Sequence, residues 1–546
     1  MADVDVDGVI VLVVFYLIVL VTGIVAGRCF KAPGASETEL SMVAGRKLGL
    51  GVGILTMSAS FVGGGYLNGL AEGMALGGIA WTTPPLGIMF GLFLSAFVFG
   101  GPMRQRKYLT FFDPFQEKYG KEVTAFLFLA HLLGTNFYMA AILSALGSSL
   151  SVIIGLDRVV SIIISAVIAV FYTMVGMMVA VAYTDIIELI LIVIGMGIAI
   201  PFAATNEHVH LSTAQEKWLG NIETVQIGKW IDFLVLSFLG SIPWQGQFQR
   251  FLSARSARDA RIIGVVGGIV TFILAIAPLS IGAIGVSTDW MNTTYKKDPF
   301  QARETSLMLP LVMYHLTPRP VAIIALCGIA AAVMSSLDSS LLGSSALFCH
   351  NIYRGLIRKK ASEREFMWAQ RITIVVLGIL ASITAIYADT IYGLVLFGSE
   401  FGLVMVFPHL VCSMYIPVSN GYGALIGSSL SLILRIGGGD ELMNLAPFIP
   451  YPPYDHKTQL FPVRILCVLV AIVTTVVISV VTRCLFQNGI ISKQFDVLNQ
   501  FPDKDNATDT NELESKKEME IRGISAISDR DSYYYDNPIA ISDDTK

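Results

Sequence analysis

About thirteen stretches of mainly apolar residues divide this chain, and each has the roughly twenty residues that a helix needs to cross a bilayer. Only 14% of the residues are charged, against about 25% in soluble proteins. Because lipid offers no partner to backbone N–H and C=O groups, such stretches must be helical. The sequence therefore predicts an all-α integral membrane protein with about 13 transmembrane helices. Their predicted first residues are numbers 9, 47, 78, 122, 159, 181, 230, 262, 320, 366, 391, 421 and 463.

Basic residues between these stretches predict how the chain is oriented in the membrane. The first stretch follows the acidic residues MADVDVDG, unlike a signal peptide, so we expect it to be retained with its amino end outside. The odd number of spans then places the carboxyl end in the cytoplasm. This orientation gives the cytoplasmic loops the densest basic groups, which include RQRK at 104–107 and Arg250, Arg255, Arg258 and Arg261.

Two N-glycosylation sequons test this orientation. Asn292 begins the triplet Asn-Thr-Thr in a loop predicted to be extracellular, so we expect it to carry a glycan. Asn506 lies in the polar tail 487–546, which we expect to be cytoplasmic, disordered and unmodified. A solvated tail is the simpler interpretation, and binding of trafficking proteins there is the alternative.

The segment SASFVGGGYLNG at 58–69 interrupts one of the apolar stretches. A glycine inside a helix costs about 1 kcal/mol relative to alanine. On faces where membrane helices pack, small residues typically lie four positions apart. Gly63, Gly64 and Gly65 are instead consecutive and favour unwinding. Secondary transporters bind ions and solutes at such broken helices, where the bound groups satisfy the freed backbone. We therefore predict a broken helix that forms a binding site.

A second polar intrusion, IAAAVMSSLDSSLLGSS at 329–345, lies in a later stretch. Ser335 and Ser339 are four residues apart, so their hydroxyls share a helical face. Asp338 between them is costly inside a membrane and needs a partner or a function. Hydroxyl and carboxylate oxygens suit an alkali cation. The alternative is that the serines bond to their own helix and Asp338 pairs with a buried arginine, but this stretch contains none.

Four further carboxylates lie in or beside apolar stretches. Asp185 and Glu188 share a helical face near a predicted helix start, where a charge can also reach water. Asp232 lies near the outer end of its stretch, and Glu400 lies deeper. Both positions therefore leave a functional and a structural interpretation open.

The segments LTMSASFVGGGYLNGLAE, DPFQEKYG, VAYTD, GSIPWQGQFQRFLS and AAAVMSSLDSSLL resemble, in this order, the sodium–solute symporter family and its choline-transporting branch. The resemblance extends from about Val9 to Phe486. It implies a five-plus-five inverted repeat of the leucine-transporter type, with extra terminal helices. The implied segments are 1–46 (first helix and cytoplasmic loop), 47–202 (first repeat), 203–229 (extracellular loop), 230–415 (second repeat) and 416–486 (two C-terminal helices).

The resemblance also implies two sodium positions. One would use the backbone carbonyls of Ala59 and Val62 with the hydroxyls of Ser335 and Ser336. The other would use two carboxylates and an adjacent hydroxyl, namely Asp185, Asp338 and Ser339.

For choline, a quaternary ammonium, the resemblance implies an aromatic cage that acts by cation–π attraction. Trp244 matches the family. Phe61 and Tyr138 stand where the family has tryptophan, and Ile88 stands where it has tyrosine. The cage is therefore weakened, so either choline or another small organic solute remains an expected substrate.

These features together predict a transporter and not an enzyme. The tail contains no folded signalling domain, which disfavours a membrane sensor. No P-loop or metal-ligand cluster appears, so the driving force must be an ion gradient. The net charge of −4 indicates no nucleic-acid partner. The resemblance implies co-transport of Na⁺ through the plasma membrane by alternating access, and it leaves open chloride dependence and a location in synaptic or vesicle membranes.

Overall fold

The computed structural model describes residues 5–29, 36–211, 215–440, 445–455 and 458–501. Asn506 and most of the predicted tail lie outside these residues. The chain forms one compact unit up to Val480 and a second unit from Val481 onward. In the second unit, the described residues include a helical turn at Lys493–Phe495, and the rings of Phe486 and Phe501 stack 5.1 Å apart.

The described part of the chain is almost entirely helical, as predicted. Its only strands are β1 (Tyr454–Asp455) and β2 (Thr458–Gln459), which pair antiparallel. Short 3₁₀ or π segments lie at Ala44–Arg46, Ser95–Gly100, Thr224–Gln226, Thr305–Leu307, Phe348–Ile357 and Gly402–Val406. The α-helices are α1 Val6–Cys29, α2 Glu37–Val43, α3 Leu50–Phe61, α4 Gly64–Trp81, α5 Pro84–Leu94, α6 Gly101–Gln105, α7 Asp113–Tyr119, α8 Lys121–Ile154, α9 Arg158–Ala204, α10 Gln215–Leu219, α11 Ile227–Leu239, α12 Gln245–Ser253, α13 Ala257–Leu274, α14 Ile276–Val286, α15 Met308–Leu316, α16 Arg319–Leu347, α17 Glu363–Ile386, α18 Ile391–Phe401, α19 Phe407–Tyr415, α20 Gly421–Gly437 and α21 Val463–Gln487.

Helices begin within a few residues of the predicted starts, except that residue 181 lies inside a longer helix. Within the described ranges, nine helical runs are long and apolar enough to cross a membrane, and the bent pair α3 and α4 makes a tenth. Three shorter apolar helices accompany them. The predicted stretch from residue 230 differs from a simple span, because it is divided into α11 and α12.

Helix α9 contains the two predicted spans that begin near residues 159 and 181. It is helical over 47 residues, which would be about 70 Å long if straight, more than twice the hydrocarbon thickness. The hydroxyls of Tyr172 and Thr184, however, lie only 2.6 Å apart. Twelve residues of straight helix rise about 18 Å, so the axis must turn sharply between these two side chains.

Helices α8 and α16 form the centre of the first unit. Their most apolar windows are 78% and 83% buried, against 28% for α1 and 33% for α17. Small residues permit this central packing: a Cβ added to Gly195 of α9 would lie 3.1 Å from the Ile324 carbonyl oxygen of α16. Without a hydrophobic driving force in lipid, such close backbone approach is what holds membrane helices together.

Candidate functional site

The predicted break in the glycine-rich segment is present. Helix α3 ends at Phe61, α4 begins at Gly64, and the two axes are bent by 50°. The amide of Val62 donates to the Ser58 carbonyl at 2.9 Å, and that of Leu67 donates to the Gly63 carbonyl at 2.8 Å. Because the last carbonyls of α3 lie at a helix end, they lack the usual partners four residues on and point toward the break.

The glycines at this break are required by close packing as well as by unwinding. A Cβ added to Gly64 would overlap the side chain of Val333 in α16. One added to Gly65 would lie 3.2 Å from Val395 in α18. The break is therefore enclosed by neighbouring helices.

A second break separates α11 from α12 at residues 240–244, which the sequence analysis did not predict. Trp244 has an extended backbone (φ −125°, ψ 120°) and precedes α12 directly. A Cβ added to Gly240 would lie 2.9 Å from the Ser399 carbonyl oxygen, so the break packs tightly on α18. The neighbouring Gly240 and Pro243 were the sequence signal, since glycine and proline both interrupt helices.

A cavity of about 100 Å³ lies between the two breaks. All four predicted substrate residues line it: Phe61, Ile88, Tyr138 and Trp244. The Trp244 ring lies 4.8 Å from that of Phe61 and 6.0 Å from that of Tyr138, in edge-to-face geometry. The structure thus brings together residues that are far apart in the sequence.

Two further tyrosines, Tyr66 and Tyr392, line the same cavity and were missed from the sequence. Their hydroxyls are held by backbone carbonyls, that of Tyr66 by Thr271 at 3.2 Å and that of Tyr392 by Trp81 at 3.0 Å. None of the described residues that line the cavity is a carboxylate. A cation bound here would therefore meet aromatic rings instead of an ion-pair partner.

The residues predicted for the first sodium position meet beside the first break. Ser336 of α16 donates to the Ser60 carbonyl at 3.0 Å, between Ala59 and Val62 of the α3 terminus. Ser335 turns to the other side and donates to Asp185 Oδ1 at 2.6 Å. Ser336 thus contacts the end of α3 next to Ala59 and Val62, whereas Ser335 faces α9. Binding of an ion by these four residues stays a prediction.

Two of the three residues predicted for the second sodium position, Asp185 and Ser339, bind Arg250. Its Nη2 donates to Ser339 Oγ at 2.7 Å and to Asp185 Oδ2 at 3.1 Å, and both ionic side chains are fully buried. The hydroxyl of Thr56 also donates to Asp185. Asp338 lies apart from the arginine and accepts a 2.6 Å hydrogen bond from Thr173.

The prediction that Arg250 lies in a cytoplasmic loop was therefore wrong. Helix α12 continues the second broken helix into the core, and Asp185 compensates the charge that this brings inside. The stretch that contains Asp338 has no arginine, and the buried arginine comes from α12.

Asp232 and Glu400 belong to a separate ion-pair cluster in the first unit. Arg464 binds both, with Nη1 at 3.0 Å from Asp232 Oδ2 and Nε at 2.5 Å from Glu400 Oε1. Arg435 Nε donates to the other Glu400 oxygen at 2.8 Å. Both acids therefore connect helices, which supports their structural interpretation.

The model of the sodium:solute symporter family matches residues 42–430. The chain belongs to this family. Among its relatives, high-affinity choline transporter 1 of Drosophila melanogaster is 42% identical over 498 residues, 90% of this chain and 81% of that protein. Its human counterpart is 40% identical over 512 residues, 90% and 88% of the two chains. The sodium/proline symporter of Salmonella typhimurium is 25% identical over 433 residues, 74% and 84% of the chains.

The fold of this symporter also matches a solved structure. A Na⁺-coupled sialic acid symporter in a substrate-bound outward-open state superposes with a TM-score of 0.69 at 16% identity. The match covers 87% of this chain and 98% of that one. The predicted leucine-transporter-type fold of a multi-pass membrane protein is thereby confirmed.

Proposed function

We propose that this symporter imports choline, or a closely related quaternary amine, together with sodium by alternating access. The observation that carries the proposal is the small aromatic cavity between two broken helices, which contains the four predicted substrate residues. The relatives of about 40% identity that are named as choline transporters support the choice of solute.

The chemistry of the cavity fits a small quaternary ammonium. A quaternary nitrogen has no N–H to donate, and aromatic rings attract it by about 0.5–2 kcal/mol each. Phe61, Tyr138 and Trp244 supply three such rings.

Sodium coupling would act through the first broken helix. We assign the first ion to Ala59, Val62, Ser335 and Ser336, and a second ion to the cluster of Asp185, Asp338 and Ser339. Phe61 immediately precedes Val62, so ion and solute would stabilise the same conformation of one helix break. Ligands that favour a common conformation increase each other's affinity by the same factor.

We further propose the plasma membrane as the site of transport, with synaptic or vesicle membranes as an alternative. The amino end would be outside and the carboxyl end in the cytoplasm. The exposed side chain of Asn292 is compatible with an extracellular glycan. Trafficking proteins would bind the tail, which lies mainly outside the described residues.

Uptake of radiolabelled choline by cells that express the chain tests the proposal. We expect uptake in sodium medium and its loss when lithium replaces sodium. Replacing chloride by gluconate in the same assay measures the chloride dependence. Absence of choline uptake by protein at the cell surface would contradict the proposed solute.

One observation favours a second candidate, a sodium-coupled carrier of another small organic solute. Ile88 lines the cavity where the resemblance implies a tyrosine, and it offers no π face. Competition by unlabelled quaternary and tertiary amines in the uptake assay distinguishes the two candidates, because only a choline carrier should prefer choline.

A further inference from the structure

Glu188 of α9 is a fully buried glutamate, and neither of its carboxylate oxygens has a hydrogen-bond partner among the described residues. Asp338 of α16 is equally buried, and its Oδ2 atom also lacks a partner there. Thr173 occupies only the other Asp338 oxygen, at 2.6 Å. Three carboxylate oxygens in the centre of a membrane protein are thus without a protein donor.

Such an arrangement is expensive unless a ligand compensates it. A buried carboxylate normally receives hydrogen bonds or a counter-charge, and intramembrane carboxylates without them mark functional sites. Glu188 is also close enough to Asp185 and Asp338 for their negative charges to repel one another. Packing alone does not explain the position of Glu188.

Glu72 of α4 provides an internal comparison. It is also buried, yet it accepts hydrogen bonds from the Thr390 hydroxyl at 2.8 Å and from the amides of Ile391 and Tyr392 at 3.0 and 2.8 Å. This fold therefore satisfies a buried glutamate with donors where its role is structural. Glu188 differs, because its polar neighbour is another carboxylate, Asp185, which offers a hydrogen bond only when one of the two is protonated.

Arg250 does not compensate Glu188. Its donors bind Asp185, Ser339, the Thr56 hydroxyl at 3.2 Å and the Gly246 carbonyl at 3.0 Å. The cluster therefore contains three buried carboxylates and one described guanidinium. Two monovalent cations, one at this cluster and one at the predicted first sodium position, would balance the negative charge of the cluster.

We infer that Glu188 and Asp338 bind the second sodium ion, while Arg250 fills the space beside Asp185 and Ser339. The inference rests on the proposed sodium coupling and moves the centre of the second site toward Glu188. Carboxylate oxygens are hard ligands that suit an alkali cation. A single proton would neutralise one oxygen and leave the other two without a partner.

Binding of ²²Na⁺ to the purified full-length protein tests this site without requiring transport. We expect two sodium ions per wild-type chain and one in Glu188→Gln, which keeps the side-chain shape but removes the charge. Glu72→Gln is the matched control and should still bind two. Asp338→Asn should lose the same ion, and it provides a second test if Glu188→Gln does not fold.

A folded Glu188→Gln protein that still binds two sodium ions would overturn the inference, and so would wild-type protein that binds only one. In uptake assays, the Hill coefficient for sodium should fall from near two to near one in Glu188→Gln. If wild-type protein binds two sodium ions but carries no choline, the proposed function fails while this site stands.

Discussion

Gly63 lies directly against the hydroxyl of Ser336, so that a Cβ added to Gly63 would overlap Ser336 Oγ and Cβ. The Ser336 hydroxyl cannot move away freely, because it donates to the Ser60 carbonyl at 3.0 Å in the centre of the protein. The two elements proposed to hold the first sodium ion therefore touch where the helix is broken.

Gly63→Ala should reduce sodium-dependent uptake about tenfold or more, because the added methyl group overpacks this contact. Overpacking of this kind typically costs about 1–3 kcal/mol. Gly51→Ala in α3 is the control, since its added Cβ meets nothing within 4 Å. Uptake and surface biotinylation should be measured together. Equal uptake by the two variants would show that the contact is not needed.

Asp338→Ala should abolish sodium-dependent uptake while the protein still reaches the cell surface. The reason is that Asp338 has one oxygen held by Thr173 and one free of any described donor. Uptake as a function of sodium concentration checks this. A wild-type sodium dependence in the variant would remove Asp338 from the ion site.

Restoring aromatic rings should strengthen choline binding. Phe61→Trp and Ile88→Tyr should each lower the half-saturating choline concentration several-fold, because a well-placed ring contributes about 1 kcal/mol. Trp244→Ala should raise it by more, since Trp244 contacts both Phe61 and Tyr138. Trp368→Ala, at a 62% exposed position, is the control. An unaltered choline affinity in Trp244→Ala would place the substrate elsewhere.

Arg464→Gln should lower thermal stability, because it leaves two nearly buried carboxylates, Asp232 and Glu400, without this partner. Breaking a buried ion pair typically costs about 3–5 kcal/mol. Arg319→Gln breaks an exposed pair with Asp5 and should lower thermal stability much less, because solvent screens such pairs. Thermal unfolding of the purified variants measures both. Equal melting temperatures for the two would contradict the structural role of Arg464.

Glycosidase treatment of intact cells should lower the apparent mass of the protein by that of one glycan. Asn292→Gln should abolish this change in mass. The Asn292 side chain is exposed in the loop after α14, where a glycan can be accommodated. A glycan on Asn506 would reverse the proposed orientation of the carboxyl end.

The first helix break and the cavity residues could be predicted because their signals are local or motif-based. Three consecutive glycines indicate unwinding wherever they lie, and the motif around Trp244 identifies its position. The second break has a weaker signal, one glycine and one proline, within a stretch apolar enough to read as a single helix. Tyr66 and Tyr392 were missed because tyrosine is common in membrane helices, and only tertiary packing shows which ones face the cavity.

The environment of Arg250 could not be predicted for a related reason. In the sequence it precedes three other arginines and resembles part of a basic loop. Its partner Asp185 lies 65 residues away on another helix. Charge compensation between distant segments depends on the three-dimensional fold. The basic residues near Arg250 in the sequence therefore indicated the wrong location for its side chain.

Choline accumulation in proteoliposomes that contain the purified protein tests the central claim most directly. With an inward sodium gradient, we predict that internal choline rises transiently above the external concentration, and that gramicidin, which dissipates the gradient, releases it. With equal sodium on both sides, choline should only equilibrate. Equilibration without accumulation under the gradient, or accumulation that persists after gramicidin, would contradict sodium-coupled choline import.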